Sequence, residues 1–244
     1  MTEDQVIKKL ISTASAEIGY MEKASNKNLD DKTANAGKGN FTKYARDLVN
    51  LIGSPYSQGS AWCDMFVDWC FIQTFGKDNA KKMLGGWSAY TPTSANFYKN
   101  AGRFFKSPKV GDQIFFKNSE RINHTGIVIN VNDTTVYTIE GNSSNMVQTR
   151  SYFKSDSKIA GYGRPNWSIV TTKEEPKTSQ WPLATVEGVD ISDVLDPNVF
   201  DVRKYRASYA DLDSVFGDNW QMYYYHYKVI GKTEIETKQR PPFM

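Results

Sequence analysis

The sequence predicts an α+β fold from the order in which its periodicities appear. Apolar residues recur at helical spacing from Val6 to about Asn100, alternate like strands from about residue 108 to Arg164, and return to helical spacing after Val189. Helices followed by a run of strands favour an antiparallel sheet beside helices, since a parallel doubly wound sheet would interleave the two. The same pattern divides the chain into an α+β domain with N-terminal helices at 1–166, a linker at 167–188 and a small all-helical module at 189–244.

Taken in order, Val6, Ile7, Leu10, Ile11, Ala14 and Ile18 form one stripe, so residues 5–19 read as an amphipathic helix ended by Gly19. The polar stretch 25–40 reads as loop, and Thr42–Ile52 as a short helix stopped by Gly53. A Gly- and Ser-rich loop at 54–60 then runs into an apolar helix, Cys63 to about Phe75, with Gly76 as its stop. Asn79–Leu84 and Thr93–Asn100 are further helices, the second inside an aromatic-rich segment. Strands are expected at Val110–Phe116, His124–Val131, Thr135–Glu140 and Ile159–Arg164, with Asn132-Asp133 as the turn of a hairpin. Pro165, Pro176 and Pro182 around Lys173-Glu174-Glu175 give the linker its character. Helices at Pro197–Tyr209, Asp211–Phe216 and Asn219–Ile230 follow, the last two stopped by Gly217 and Gly231, with aromatic residues as their core.

At 244 residues the chain can bury one good core and a small second one. With 39% hydrophobic and 23% charged residues it has the composition of a globular protein, and no apolar run reaches membrane-spanning length. A net charge of +3 is too mild to predict a nucleic-acid partner and suits work beside an anionic polymer such as a bacterial wall. Met1-Thr2-Glu3-Asp4-Gln5 opens acidic and polar, unlike a signal peptide, so synthesis in a cytoplasm is expected, in keeping with two unpaired cysteines.

Cys63 stands where a helix begins. Backbone N–H groups there lack internal partners, favour thiolate over thiol and suit a developing oxyanion. Cys70 lies about 10 Å further along the same helix, too far for a disulfide, and among Phe66, Val67 and Phe71 it reads as a small buried hydrophobe. Of the two histidines, His226 within Tyr223-Tyr224-Tyr225-His226-Tyr227 reads as structural. His124, at the start of a strand after a polar loop, suits a base that takes the thiol proton and returns it to a leaving amine. Glu140, across the hairpin, is placed to hold that imidazole in one tautomer, a solvated strand end being the competing reading, and Asn142 lies on the same rim. Asp30, Asp31, Asn35 and Asn40 offer oxygen ligands to calcium, but their spacing does not fit an EF-hand and a solvated loop competes.

As a set, Trp62-Cys63-Asp64-Met65-Phe66-Val67-Asp68-Trp69, Val110-Gly111-Asp112-Gln113-Ile114-Phe115-Phe116, His124-Thr125-Gly126-Ile127-Val128 and Tyr137-Thr138-Ile139-Glu140-Gly141-Asn142 resemble the CHAP (cysteine, histidine-dependent amidohydrolase/peptidase) family. The resemblance covers about residues 5–166. It implies a papain-like α+β fold and cleavage of a peptidoglycan amide bond, either between sugar and stem peptide or within the peptide. Cys63 then takes the nucleophile's place, His124 the base's, Glu140 the orienting carboxylate's, and Asn142 a supporting role. Gln58 precedes the cysteine as an oxyanion donor does in papain-like enzymes, although at a different offset. No cofactor is required; some relatives bind calcium before the cysteine, and the 28–40 loop occupies a similar place.

The C-terminal residues Pro197-Asn198-Val199-Phe200-Asp201, Tyr205, Ser208-Tyr209-Ala210-Asp211-Leu212, Phe216-Gly217 and His226-Tyr227 resemble a short helical repeat of wall-associated proteins from Gram-positive bacteria. That implies wall attachment, with dimerisation or spacing as alternatives. The whole layout resembles a phage endolysin, made in the host cytoplasm and acting on peptidoglycan after release, with no nucleic-acid partner and no membrane insertion. A bacterial wall-remodelling hydrolase and a non-catalytic wall-binding protein are the rival readings.

Overall fold

The structure, a computed structural model, describes residues 1–171, 185–194, 200–239 and 241–242. They belong to two compact units, Met1–Glu174 and Glu175–Met244.

In the first unit the helices are α1 (Glu3–Ser15), α2 (Lys43–Leu51), α3 (Cys63–Phe75), α4 (Lys77–Leu84) and α5 (Thr91–Asn100). The strands are β1 (Phe104–Phe105), β2 (Gln113–Lys117), β3 (Ile122–Val131), β4 (Thr135–Ser143), β5 (Met146–Phe153) and β6 (Ile159–Gly163). They form one sheet in the order β1-β6-β2-β3-β4-β5, and every neighbouring pair is antiparallel, which makes this an α+β unit.

Local chemistry explains where the helices begin. Thr2 and Gln5 form a capping box at α1, and the Thr42 side chain accepts the Ala45 N–H to start α2. α1 buries Val6, Ile7, Leu10 and Ala14 but ends at Ser15, short of the expected Gly19. The chain turns there, and Glu17 accepts from the Tyr44 hydroxyl at 2.7 Å and pairs with Lys43 at 2.7 Å. α3 has no polar face: every residue from Cys63 to Ile72 is buried, as befits a helix held among the other helices and the sheet. Its core neighbours include Tyr44, Phe115, Ile127 and Ile139. Trp167, expected at the head of the linker, is 4% exposed and stacks on Phe71 at 6.0 Å, so the first unit's core extends past residue 166.

Besides the unexpected β1 at its edge, the sheet differs from expectation at three places. Residues 110–112 form a turn, with Gly111 and Asp112 closing onto Val128, and β2 starts at Gln113. β3 begins at Ile122, so His124 lies inside the strand, paired with Phe116. β4 runs on to Ser143 and continues through a tight turn into β5, an edge strand whose polar outer residues Thr149, Arg150 and Ser151 hide its period.

The second unit carries a two-stranded hairpin, β7 (Thr185–Val186) with β8 (Val189–Asp190), so it is helical but not all-helical. α6 (Val202–Ser208) is capped by Asp201, and α7 (Ala210–Phe216) and α8 (Trp220–His226) follow. Gly231 does not stop the last helix: a π turn at Tyr227–Gly231 passes through it into α9 (Lys232–Glu236). A side chain there would meet the Tyr205 hydroxyl, since an added Cβ would sit 1.9 Å from it. Phe200, Tyr205, Tyr209, Tyr223 and Tyr224 form the core, as the aromatic content predicts. Pro176, Pro182 and the expected helix start at Pro197 lie outside the described residues.

Candidate active site

Three elements meet at Cys63. Trp62 precedes α3, and no side chain caps the helix, so its first N–H groups are left to whatever lies before them. The Trp62 indole fixes this end: its N–H donates to Glu22 at 2.9 Å and its ring stacks on Tyr44 at 5.5 Å. β4 presses against the same turn through Gly141, where an added Cβ would stand 2.4 Å from the Phe66 Cβ and 2.9 Å from the Trp62 ring. That contact brings the Glu140–Asn142 segment beside the cysteine.

β3 supplies the imidazole. His124 and Gly126 are two residues apart and share one face of the strand, while Glu140 comes from the adjacent β4. Because Gly126 has no side chain, Glu140 leans across it: an added Cβ at 126 would lie 2.5 Å from the Glu140 Cγ. The carboxylate then meets His124 Nε2 at 2.9 Å and accepts the Thr138 hydroxyl at 2.6 Å and the Tyr152 hydroxyl at 3.2 Å. Glu140 is 1% exposed, so these three partners replace water around a buried charge.

With Nε2 committed to Glu140, Nδ1 is the nitrogen left to face the thiol. Burial by itself would push the His124 imidazole down, but hydrogen bonding to and the charges of Cys63 and Glu140 outweigh it and carry the group up to about 10. The imidazole is therefore a cation at neutral pH, beside a sulfur at a helix N-terminus. Such a pair can attack a carbonyl carbon and then protonate what leaves. Cys70 is fully buried in the main core, and its thiol is pushed up by burial, as expected for an inert cysteine.

The other residues named from sequence are held by partners of their own. Asn142 has a left-handed backbone, φ 55°, at an irregularity of β4, and its amide reaches Asn40 at 3.5 Å. Gln58 clamps Thr42, accepting its N–H at 2.9 Å and donating to its carbonyl at 2.8 Å, which leaves one N–H of the amide. The four calcium candidates do not converge. Asp30 is held by Arg46 through both oxygens at 2.7 Å, and one Asp31 oxygen accepts the Thr33 and Ala34 N–H groups at 2.8 Å. Asn35 donates to Lys27 at 2.8 Å, and Asn40 meets Asn142. Among the described residues no three His, Cys, Asp or Glu gather to hold a metal ion. A guanidinium already balances Asp30, so this loop as arranged does not fit calcium. His226 accepts or donates to the Tyr205 hydroxyl at 2.9 Å inside the aromatic core of the second unit, a structural setting.

Thr138 and Tyr152 escaped the sequence reading. The period of two along β4 puts Thr138 on the face of Glu140, so that signal was present; Tyr152 needed β5, whose polar edge concealed it.

No curated protein matches the chain. The family model for the CHAP domain matches residues 55–142, a span that takes in Cys63, His124, Glu140 and Asn142. That match, on a mixed helical and antiparallel unit, supports a CHAP domain within the first unit, a domain that implies amidase or peptidase action on peptidoglycan.

Proposed function

We propose that the chain hydrolyses an amide bond of peptidoglycan by acyl transfer, with Cys63 as nucleophile, His124 as acid and base, and Glu140 as the group that orients His124. The observation that carries this is the Cys63 thiol beside an imidazole fixed by a buried, triply bonded carboxylate. The Cys63 thiolate attacks the amide carbonyl, and the oxyanion is met by the N–H groups at the start of α3. His124 gives its proton to the departing amine, leaving a thioester. Water, deprotonated by His124, then attacks the thioester and releases the acid and the thiolate. Asn142 holds the rim through Asn40, and no step runs through a metal.

The biological setting we favour is a phage endolysin that reaches the wall after release from the host cytoplasm. It is supported by the joining of a CHAP unit to a small aromatic helical unit, to which we assign wall attachment. A bacterial wall-remodelling hydrolase is the alternative. Turbidity clearing of purified walls tests the chemistry: Cys63→Ala is expected to fold, bind walls and fail to clear them. Clearing by that variant overturns the proposal.

A further inference from the structure

A buried polar junction behind the site has no part in the chemistry above. Gln113, the first residue of β2, is 2% exposed, and its carboxamide uses every hydrogen-bonding group it has. Its oxygen accepts from the Tyr98 hydroxyl at 3.0 Å. Its two N–H groups go to different elements, one to the Asp64 carboxylate on α3 at 3.0 Å and one to the Thr125 hydroxyl on β3 at 3.1 Å. Asp64 and Thr125 are fully buried, and each has one further partner: Asp64 accepts from Ser94 at 2.5 Å, and Thr125 donates to the Ile114 carbonyl at 2.7 Å.

The placement of the two recipients is the telling feature. Asp64 immediately follows Cys63, and Thr125 immediately follows His124. The two reacting groups come from different elements, and misplacing reacting atoms by about 1 Å costs roughly a hundredfold in rate. We propose that Gln113 is a positioning residue that sets the separation of the Cys63 sulfur and the His124 imidazole, by holding at once the residue after each. The inference rests on the catalytic reading of Cys63 and His124, and it acts through them.

No other side chain of this size does the same. Methionine fills the volume but offers Asp64 and Thr125 no donor, and glutamate sets oxygens where both need an N–H. Without the Gln113 N–H, Asp64 in the first turn of α3 loses its hydrogen bond to the sheet and the thiol relaxes away from the imidazole.

The test reads thiol alkylation by iodoacetamide, which needs no wall substrate, with the site of modification located by peptide mass. The rate of that alkylation followed across pH, its profile, reads the pairing, since an imidazole beside the sulfur takes the thiol proton as the sulfur attacks. In Gln113→Met with parental circular dichroism, the alkylation rate of Cys63 is expected to fall about tenfold or more, with kcat for wall clearing falling alongside and KM unchanged. Thr125→Val, which removes one arm of the junction, is expected to show a smaller loss of the same kind. Thr125→Ser, which keeps the hydroxyl, is expected to retain the parental profile.

A folded Gln113→Met with the parent's profile and kcat overturns the proposal. If that variant does not fold, a folded Thr125→Val with the parent's profile overturns it equally. A parent profile left unchanged by His124→Ala would instead overturn the Cys63–His124 pairing beneath it.

Discussion

A single methyl group at residue 126 is expected to disable the site. Replacing a strand glycine by alanine ordinarily stabilises, by about 0.5–1 kcal/mol, because glycine loses the most freedom on folding. At Gly126 the new Cβ would stand 2.5 Å from the Glu140 Cγ and 2.9 Å from the Ile139 carbonyl oxygen, where ordinary contact begins near 3.4 Å. The Ile139 backbone cannot give way, being paired with Ile127 on one side and Thr149 on the other. The Glu140 side chain must therefore withdraw by about 1 Å, and its 2.9 Å bond to His124 does not survive a shift of that size. A hydrogen bond between charged groups contributes about 1.5–3 kcal/mol, and misplacing the imidazole costs a further share of the rate. Gly126→Ala is thus expected to clear purified walls about ten- to a hundredfold more slowly while keeping a cooperative melt. NMR titration of His124, raised to about 10 in the parent, is expected to move down as Glu140 retreats. A parental clearing rate with an unmoved imidazole would refute the reasoning.

Stability is expected to fall as pH rises. Burial raises the Asp64 carboxyl to about 7 against the pull of Ser94 and Gln113, so the folded state holds the extra proton. That contribution is full below about pH 4, the unfolded value, and is lost as pH climbs through 7, while the raised His124 contribution is lost toward 10. The melting temperature should therefore decline from pH 5 to 8, and Asp64→Asn should lessen the decline, the rest belonging to Asp68, which burial and the Asp64 charge also raise; a parental slope in that variant would contradict it. Lys23 buries its ammonium completely without a hydrogen-bond partner, its charge resting over the Tyr20 ring at 4.7 Å. Lys23→Met should accordingly raise the melting temperature by a few degrees, about what 1–2 kcal/mol provides in a unit of this size, and a lowered one would show that the charge is needed. Because Arg46 already balances Asp30, a chelator should leave melting and wall clearing unchanged.

What was legible in the sequence was whatever a local pattern encodes. α3 runs from Cys63 to Phe75 as its apolar run and Gly76 predict, and the β3–β4 hairpin turns at Asn132-Asp133 where polar residues interrupt two β-branched runs. The grouping of Cys63, His124 and Glu140 was readable because few residue types suit such an arrangement and only two cysteines and two histidines exist. What the sequence hid depends on contacts between distant segments. Gln58 precedes the cysteine in sequence, yet its amide is engaged by Thr42. Asn40 and Asn142, read as parts of different sites, meet across the fold. Gln113, inside a recognisable motif, reveals its junction only when α3, α5, β2 and β3 are placed together.

Mass spectrometry of fragments released from purified peptidoglycan tests the central claim most directly. Incubation with the protein should produce a new amine and a new carboxyl at one amide linkage, with every glycosidic bond intact, and incubation with Cys63→Ala should produce neither. Cut glycosidic bonds, or the same fragments from both proteins, would contradict a thiol-dependent amide hydrolase.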